Sequence, residues 1–280
     1  MIAIASLRRW RHGRMKTLGP VWTALGRLYQ MACRAGLGRP TSQHIGPYGP
    51  FVLQPEFAFS NFENWGGAHN SGFKECIEAC RNAQCVFDVG GHIGLVTLPM
   101  GRAVAQGGRV YTFEPAVANL RCLRRHLTDN GIRNVEVIDC LVGRADIDEV
   151  VFFEETGPSG MNGLAVKRDQ HRYKQTTHRQ ISLDSFCDRN QLSPQVIKID
   201  VEGAEHQVLE GAAKTMRRCR PRIFLSIHPA HLKLMGSSTD ALLALIEAIG
   251  YECREIDGSP VRSMRLDEYL LLPRAMVKPC

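Results

Sequence analysis

The sequence predicts a doubly wound α/β domain built on a mostly parallel sheet, and three observations predict it. From Cys85 onward, short apolar runs of buried-strand type alternate with stretches of helical spacing. The first run, Cys85–Val89, breaks into Asp88-x-Gly90-Gly91-x-x-Gly94 in front of a helix. Five of the expected strands close on a polar residue: Asp88, Glu114, Asp139, Asp200 and His228. In an open parallel sheet the ligand lies outside the carboxyl ends of the strands, so five polar tips describe a wet cleft. Capping of the next helix would account for Asp88 or Asp200. It would not account for Glu114 and His228, which precede Pro115 and Pro229.

The elements follow in order. Residues 1–43 read as a basic helical extension, with helical spacing through Trp22, Leu25, Leu28 and Met31. The main domain, 44–280, opens with short strands and turns over 44–62, as an edge hairpin would. A Gly/Asn-rich loop, 63–72, precedes a helix over 73–81 and is placed to fold over a ligand. Strand 85–89 leads to a helix over 94–105, which Pro99 should kink. Strand 109–113, helix 116–130 and strand 135–140 come next. The helix has Val117, Leu120, Leu123 and Leu127 on one face, Pro115 before it and Gly131 after it. The alternation lapses over 143–194, an insert with a hairpin around Val150–Phe153, a polar loop through Tyr173 and a strand near Gln180–Leu183. Strand 196–200, helix 203–218, strand 222–227, helix 238–249 and strands 251–256 and 269–272 complete the sheet.

Composition bounds the function. The chain has 280 residues, 44% of them hydrophobic, enough for one large core without a metal or disulfide staple. Its ten cysteines form no C-x-x-C pair, so buried free thiols, and with them a reducing, cytoplasmic setting, are expected. The net charge of +7 is unevenly placed: residues 1–55 hold eight Lys/Arg and no acid, so the rest of the chain sums to −1. The basic character belongs to an arm, which speaks against nucleic acid as the partner of the main body. No stretch reaches membrane-spanning length. The arm's basic residues form no clean polar face, which favours a solvated or loosely docked helix over a membrane-surface or partner-binding one.

The Gly-rich turn departs from the dinucleotide fingerprint, because Asp88 stands where that pattern has glycine. An acidic strand tip beside free helix N–H groups suits a ligand with both cationic and anionic groups. S-adenosylmethionine, with its sulfonium, amine and carboxylate, is such a ligand. The glycines are expected to let the backbone approach it closely.

Taken together, FDVGGHIG at 87–94, FEP at 113–115, KIDVEG at 198–203 and LSIHP at 225–229 resemble the FkbM family of S-adenosylmethionine-dependent methyltransferases, over about residues 72–272. The resemblance implies a Rossmann-like class I methyltransferase with a seven-stranded, mostly parallel sheet and helices on both faces. It implies that Asp88, Gly90, Gly91, His92 and Gly94 hold the methionine end of the cofactor, and that Glu114 takes the ribose. Asp139 is expected near the adenine, and Asp200 and His228 near the transferred methyl and the acceptor. Two positions depart from the family: His92, where Asn is commoner, and Ser226, where Glu is usual, a change expected to make the acceptor side less acidic.

Methyl transfer needs an aligned nucleophile and a base. His228 is the expected base, with Asp200 orienting it or binding the cofactor amine. Asp200, Glu202 and His228 are also the candidates for a divalent metal, while Glu202 could instead start the next helix. Alternation is taken to point Lys198 away from Asp200, as a structural residue. His171, His178, His206 and His231 are expected to be solvated or structural. The function expected is O-methylation of a small-molecule or glycan-type hydroxyl. The alternatives are an RNA methyltransferase using the basic arm as a clamp, and a non-catalytic scaffold of the same fold. The acceptor and the oligomeric state are not written in the sequence.

Overall fold

The computed structural model describes residues 19–67, 70–165 and 173–275. His171, Cys280 and the basic residues before position 19 lie outside the described residues.

The expected sheet is present. Seven strands run in the order β5(Val135–Ile138), β4(Arg109–Phe113), β3(Cys85–Val89), β9(Val196–Ile199), β10(Arg222–Ile227), β12(Asp267–Pro273) and β11(Tyr251–Glu255). The first five are mutually parallel and β12 is antiparallel to both of its neighbours. The chain order reverses between β3 and β9, which places the switch point at the centre of the sheet. This is the Rossmann-like class I methyltransferase arrangement.

Period-two alternation builds both faces. Phe87, Val89, Ile197, Ile199, Ile223 and Leu225 point into one core, filled by Val208, Leu209 and Met216. Val86, Val110, Val196 and Phe224 point into the other, filled by Ile77, Leu98, Leu123 and Leu127. The helices covering the second face are α2(Phe73–Cys80), α3(Thr97–Ala103) and α4(Val117–Asp129).

Several expectations are corrected. The 44–62 strands, β1(Thr41–Ile45) and β2(Tyr48–Leu53), begin inside the predicted extension and form their own two-stranded sheet, not an edge of the main one. Asn130 ties this ribbon to the end of α4 by exchanging bonds with the Val52 N–H and C=O, 2.8 Å each. Helix α3 starts at Thr97 rather than 94, so Pro99 falls in its first turn, where a missing N–H costs no intrahelical bond, and it makes no kink. The insert holds a three-stranded sheet, β6(Leu141–Val142), β7(Ile147–Glu155) and β8(Tyr173–Ile181). Val150–Phe153 lies within one long arm of its hairpin, and Tyr173 is in the other arm, not a loop. Leu183 opens a helix, α5(Leu183–Asn190), capped by Ser182. The single helix expected over 203–218 is two, α6(Glu205–Glu210) and α7(Ala213–Cys219). The break falls at Gly211, where a Cβ would stand 2.0 Å from the Gly143 carbonyl oxygen. A further helix, α8(Pro229–Leu234), forms where none is expected, and α9(Thr239–Ile249) forms where one is.

Candidate active site

The carboxyl ends of the five parallel strands open into a cavity of about 640 Å³, within the usual range for small-molecule sites. Its wall includes Asp88, Gly90, Gly91, His92, Glu114, Asp200, Glu202 and His228. Trp65 and Asn70 of the 63–72 loop and Ser159–Asn162 of the insert complete it. Gly94 and Asp139 are not part of the wall.

On the β3–β4 side the glycines serve the protein's own packing. Gly90 has φ +91°, and a Cβ there would lie 1.9 Å from the Asp200 carbonyl oxygen. At Gly91 a Cβ would lie 2.1 Å from Thr112 Oγ1. The expected close approach is therefore to neighbouring strands, which bring Asp88 and Asp200 together at the switch point. Gly94, φ +94°, fits against Leu123 behind the loop.

Asp88 is buried, and its Oδ2 accepts from Thr97 Oγ1 at 2.5 Å. Burial pushes its carboxyl up to about 6, against the pull of Thr97 and Lys198. Glu114 is held more fully. Its Oε1 accepts from the Ala116 N–H at 2.9 Å and Asn119 Nδ2 at 3.1 Å, and its Oε2 from the His92 N–H at 2.8 Å. Burial raises it to about 7, opposed by those donors. Only Oε2 keeps a lone pair for a hydroxyl. His92 adopts the left-handed conformation, φ +49°, which an asparagine enters more readily. Burial lowers its ring to about 4, so it is neutral, and its buried Nε2 has no hydrogen-bond partner among the described residues. Asp139 is exposed and faces Arg124 across 3.5 Å.

On the β9–β10 side charged groups face one another. His228 Nδ1 lies 2.8 Å from Glu205 Oε1, and Glu205 is fully buried. His228 Nε2 lies 3.5 Å from Glu202 Oε1 and 3.7 Å from Asp200 Oδ1. The carboxylate that orients His228 is thus Glu205, not Asp200. Burial lowers the imidazole, but Glu205, Asp200 and Glu202 outweigh it and hold it above its ordinary value. Glu202 does not start a helix. It sits at φ +54°, three residues before α6, with its carboxylate 2.9 Å from His231 Nδ1. His231, read as a bystander, stacks on His228 with ring centres 5.7 Å apart. The signal for it was the His-Pro-Ala-His spacing, which puts both rings on one side of a turn. His178 pairs with Glu154 at 2.6 Å on the insert and His206 lies 3.5 Å from Glu210, so both are structural, one of the two expected outcomes.

Lys198 corrects another reading. Residues two apart in a strand share a face, so Lys198 and Asp200 point the same way. The Lys198 ammonium is buried, 2.8 Å from Glu268 Oε1, 2.6 Å from Ser226 Oγ and 3.5 Å from Asp200 Oδ2. Burial raises Asp200, yet Lys198 and His228 hold its carboxyl below the usual range. Ser226 does not leave the region poor in acid: directly across the antiparallel ladder stands Glu268. Its other oxygen accepts from the Gly72 N–H at 2.8 Å, joining the 63–72 loop to the same network.

Comparison with known proteins accords with this geometry. The family model for the FkbM methyltransferase domain matches residues 88–253, more than half of the chain. Methyltransferase 1 of Beauveria bassiana (strain ARSEF 2860) is 29% identical over 143 residues, 45% of this chain and 57% of that protein. Among solved structures, the methyltransferase FkbM from Methylobacillus flagellatus KT is 24% identical with a TM-score of 0.43, over 69% of this chain and 44% of that one. The O-methyltransferase TomG from Streptomyces achromogenes, solved with SAM, is 13% identical with a TM-score of 0.43, over 75% and 82%. The chain spans a little over half the length of the curated relative and under half that of the Methylobacillus protein. With its motifs on one sheet edge and the family model matched across it, the chain belongs to the FkbM methyltransferase family.

Proposed function

We propose that this protein transfers a methyl group from S-adenosylmethionine to a hydroxyl of a small-molecule or sugar-type acceptor. One observation carries the reading. The cavity joins a Gly-loop half, with Glu114 at the second strand tip, to a half where a buried carboxylate orients a histidine. The residues fit the cofactor: two buried polar atoms of the wall, His92 Nε2 and Trp65 Nε1, have no hydrogen-bond partner among the described residues. Bound there, the cofactor supplies an electrophilic methyl with a neutral leaving group.

In this reading Asp88 and the Gly90–His92 backbone line the methionine end. Glu114 Oε2 receives a ribose hydroxyl with its remaining lone pair. His228 keeps its Nδ1 proton toward Glu205 and removes the acceptor proton at Nε2, a role worth roughly 10²–10⁴-fold in rate. Asp200, ionised by Lys198, stabilises the imidazolium that results. The nine described cysteines are all free, which supports work in a reducing compartment such as the cytoplasm. Among the described residues no helix is long and apolar enough to cross a membrane.

A second reading has its own observation. Donor atoms of Asp200, Glu202 and His228 lie within 4.8 Å of one another, close enough to share a divalent ion. The Lys198 ammonium beside Asp200 counts against it.

The test is calorimetry with S-adenosylmethionine, then mass detection of methylated products across a library of hydroxylated acceptors, with and without a chelator. Cofactor binding with O-methylated product and no chelator effect supports the base reading. Loss of product restored by Mg²⁺ or Mn²⁺ moves His228 from base to ligand. Absence of cofactor binding removes the proposal.

A further inference from the structure

Among the described residues, helix α1(Gly19–Arg34) is docked by one side only. Tyr29 packs edge-on against Phe59 with ring centres 4.9 Å apart, and Trp22, Ala32 and Cys33 are partly covered. An adjoining arc is bare. Val21 is 52% exposed, Leu25 48%, Leu28 63% and Met31 64%. These four are spaced four, three and three residues apart, so they form one apolar stripe along the helix. Leu37, just beyond its end, is 77% exposed. Aliphatic side chains exposed singly are ordinary, but a continuous stripe on an otherwise docked helix is a contact surface.

The charge around it identifies the partner. The first 55 residues carry eight Lys/Arg and no acid, whereas the rest of the chain is close to neutral. We infer that α1 lies on an anionic membrane surface, its stripe in the headgroup boundary and the basic arm against acidic lipid. An apolar stripe alone, or a basic run alone, gives marginal binding, and the two together give stable attachment. RNA would use the same basic residues but would leave four aliphatic side chains in water. A second copy of the chain would cover the stripe but bring two basic arms together. The inference is independent of the methyl-transfer reading.

The experiment is co-sedimentation of the full chain with vesicles of phosphatidylcholine alone and of phosphatidylcholine with phosphatidylserine, over a range of salt. Binding should be roughly tenfold or more stronger on the mixed vesicles and should weaken with salt. Leu25→Glu with Leu28→Glu should reduce it roughly tenfold or more. Cofactor calorimetry and circular dichroism should stay unchanged, because neither residue touches the core or the cavity. Failure to pellet with mixed vesicles overturns the inference, as does undiminished pelleting of the double variant. A dimer in light scattering that the double variant abolishes assigns the stripe to self-association. Salt-sensitive retention on RNA without vesicle binding assigns the arm to nucleic acid.

Discussion

The two halves of the sheet edge differ in how their charges are settled. Around β3 and β4 the acidic groups are buried and already bonded to backbone and side-chain donors of the protein. Asp88 has Thr97, and Glu114 has three N–H donors. Around β9 and β10, His228 faces Glu205, Glu202 and Asp200, and the Lys198 ammonium sits beneath. The first half is set before any ligand arrives, as a binding cradle should be. The second holds protons that can move, which a catalytic edge requires. The parallel β3–β9 ladder joins them, with the Asp200 N–H donating to the Val89 carbonyl at 2.9 Å and Gly90 packed against the Asp200 carbonyl.

The strongest way to break this contrast is to remove the buried cation. Lys198→Met would leave Glu268 buried without its ammonium, a loss of about 3–5 kcal/mol in denaturant unfolding. A loss under about 1 kcal/mol would show that the network does not anchor the β9–β10 half. Joining the halves too tightly should be nearly as harmful. Gly90→Ala adds a Cβ against backbone at positive φ and should cost about 2–4 kcal/mol, read from thermal unfolding. Wild-type stability there would mean that the loop and Asp200 are free to separate.

The next tests sharpen the roles. His228→Ala should lower turnover roughly 10²-fold with cofactor affinity nearly unchanged. Because His228 is raised above its ordinary value, the base form is lost as pH falls. Wild-type rate should therefore drop on the acid side with a midpoint above about 6.5. An acid limb that survives in the variant would assign the titration to another group. For Glu114 the sign is also defined. Its carboxyl is raised to about 7, and only the ionised form offers Oε2 freely to a ribose hydroxyl, so cofactor affinity should rise as pH passes about 7. Raising an acid's value in the fold also means that apo stability from this group falls over the same rise, from its ordinary 4.5 to about 7. Glu114→Gln would set an amide N–H₂ against N–H donors, flattening the pH dependence and costing about 1–3 kcal/mol of binding by calorimetry. The smallest effect is expected at Asp139, whose exposed pair with Arg124 is worth under about 1 kcal/mol. Asp139→Asn should leave cofactor affinity unchanged, and a tenfold loss would restore it to the site.

Local chemistry made much of this legible. Period-two apolar runs gave the strands at 85–89, 109–113, 196–199 and 222–227. Polar residues at their tips gave Asp88, Glu114, Asp200 and His228, because a strand's last residue faces the ligand edge in any parallel sheet. The five tips were not equal. Asp139 occupies the same position on the outermost strand, β5, but its side chain is exposed and turned to Arg124, while the next residues, Cys140 and Leu141, line the cavity. Helix ends were less legible: Pro99 is harmless only because the helix starts at Thr97, and Gly211 ends a helix through its close approach to the distant Gly143 carbonyl.

The sequence by itself determined the parallel sheet, the position of its Gly-rich turn and which strand tips carry charge, since these depend on residues within a few positions of one another. Tertiary structure alone decided the pairings. Glu205 reaches His228 from 23 positions away, Glu268 meets Lys198 across the β10–β12 ladder, and His231 joins the site through an unread short helix. Each is a meeting of side chains from separate strands or helices, fixed by strand order and register. A one-dimensional pattern carries the period of each element but not the identity of its neighbour.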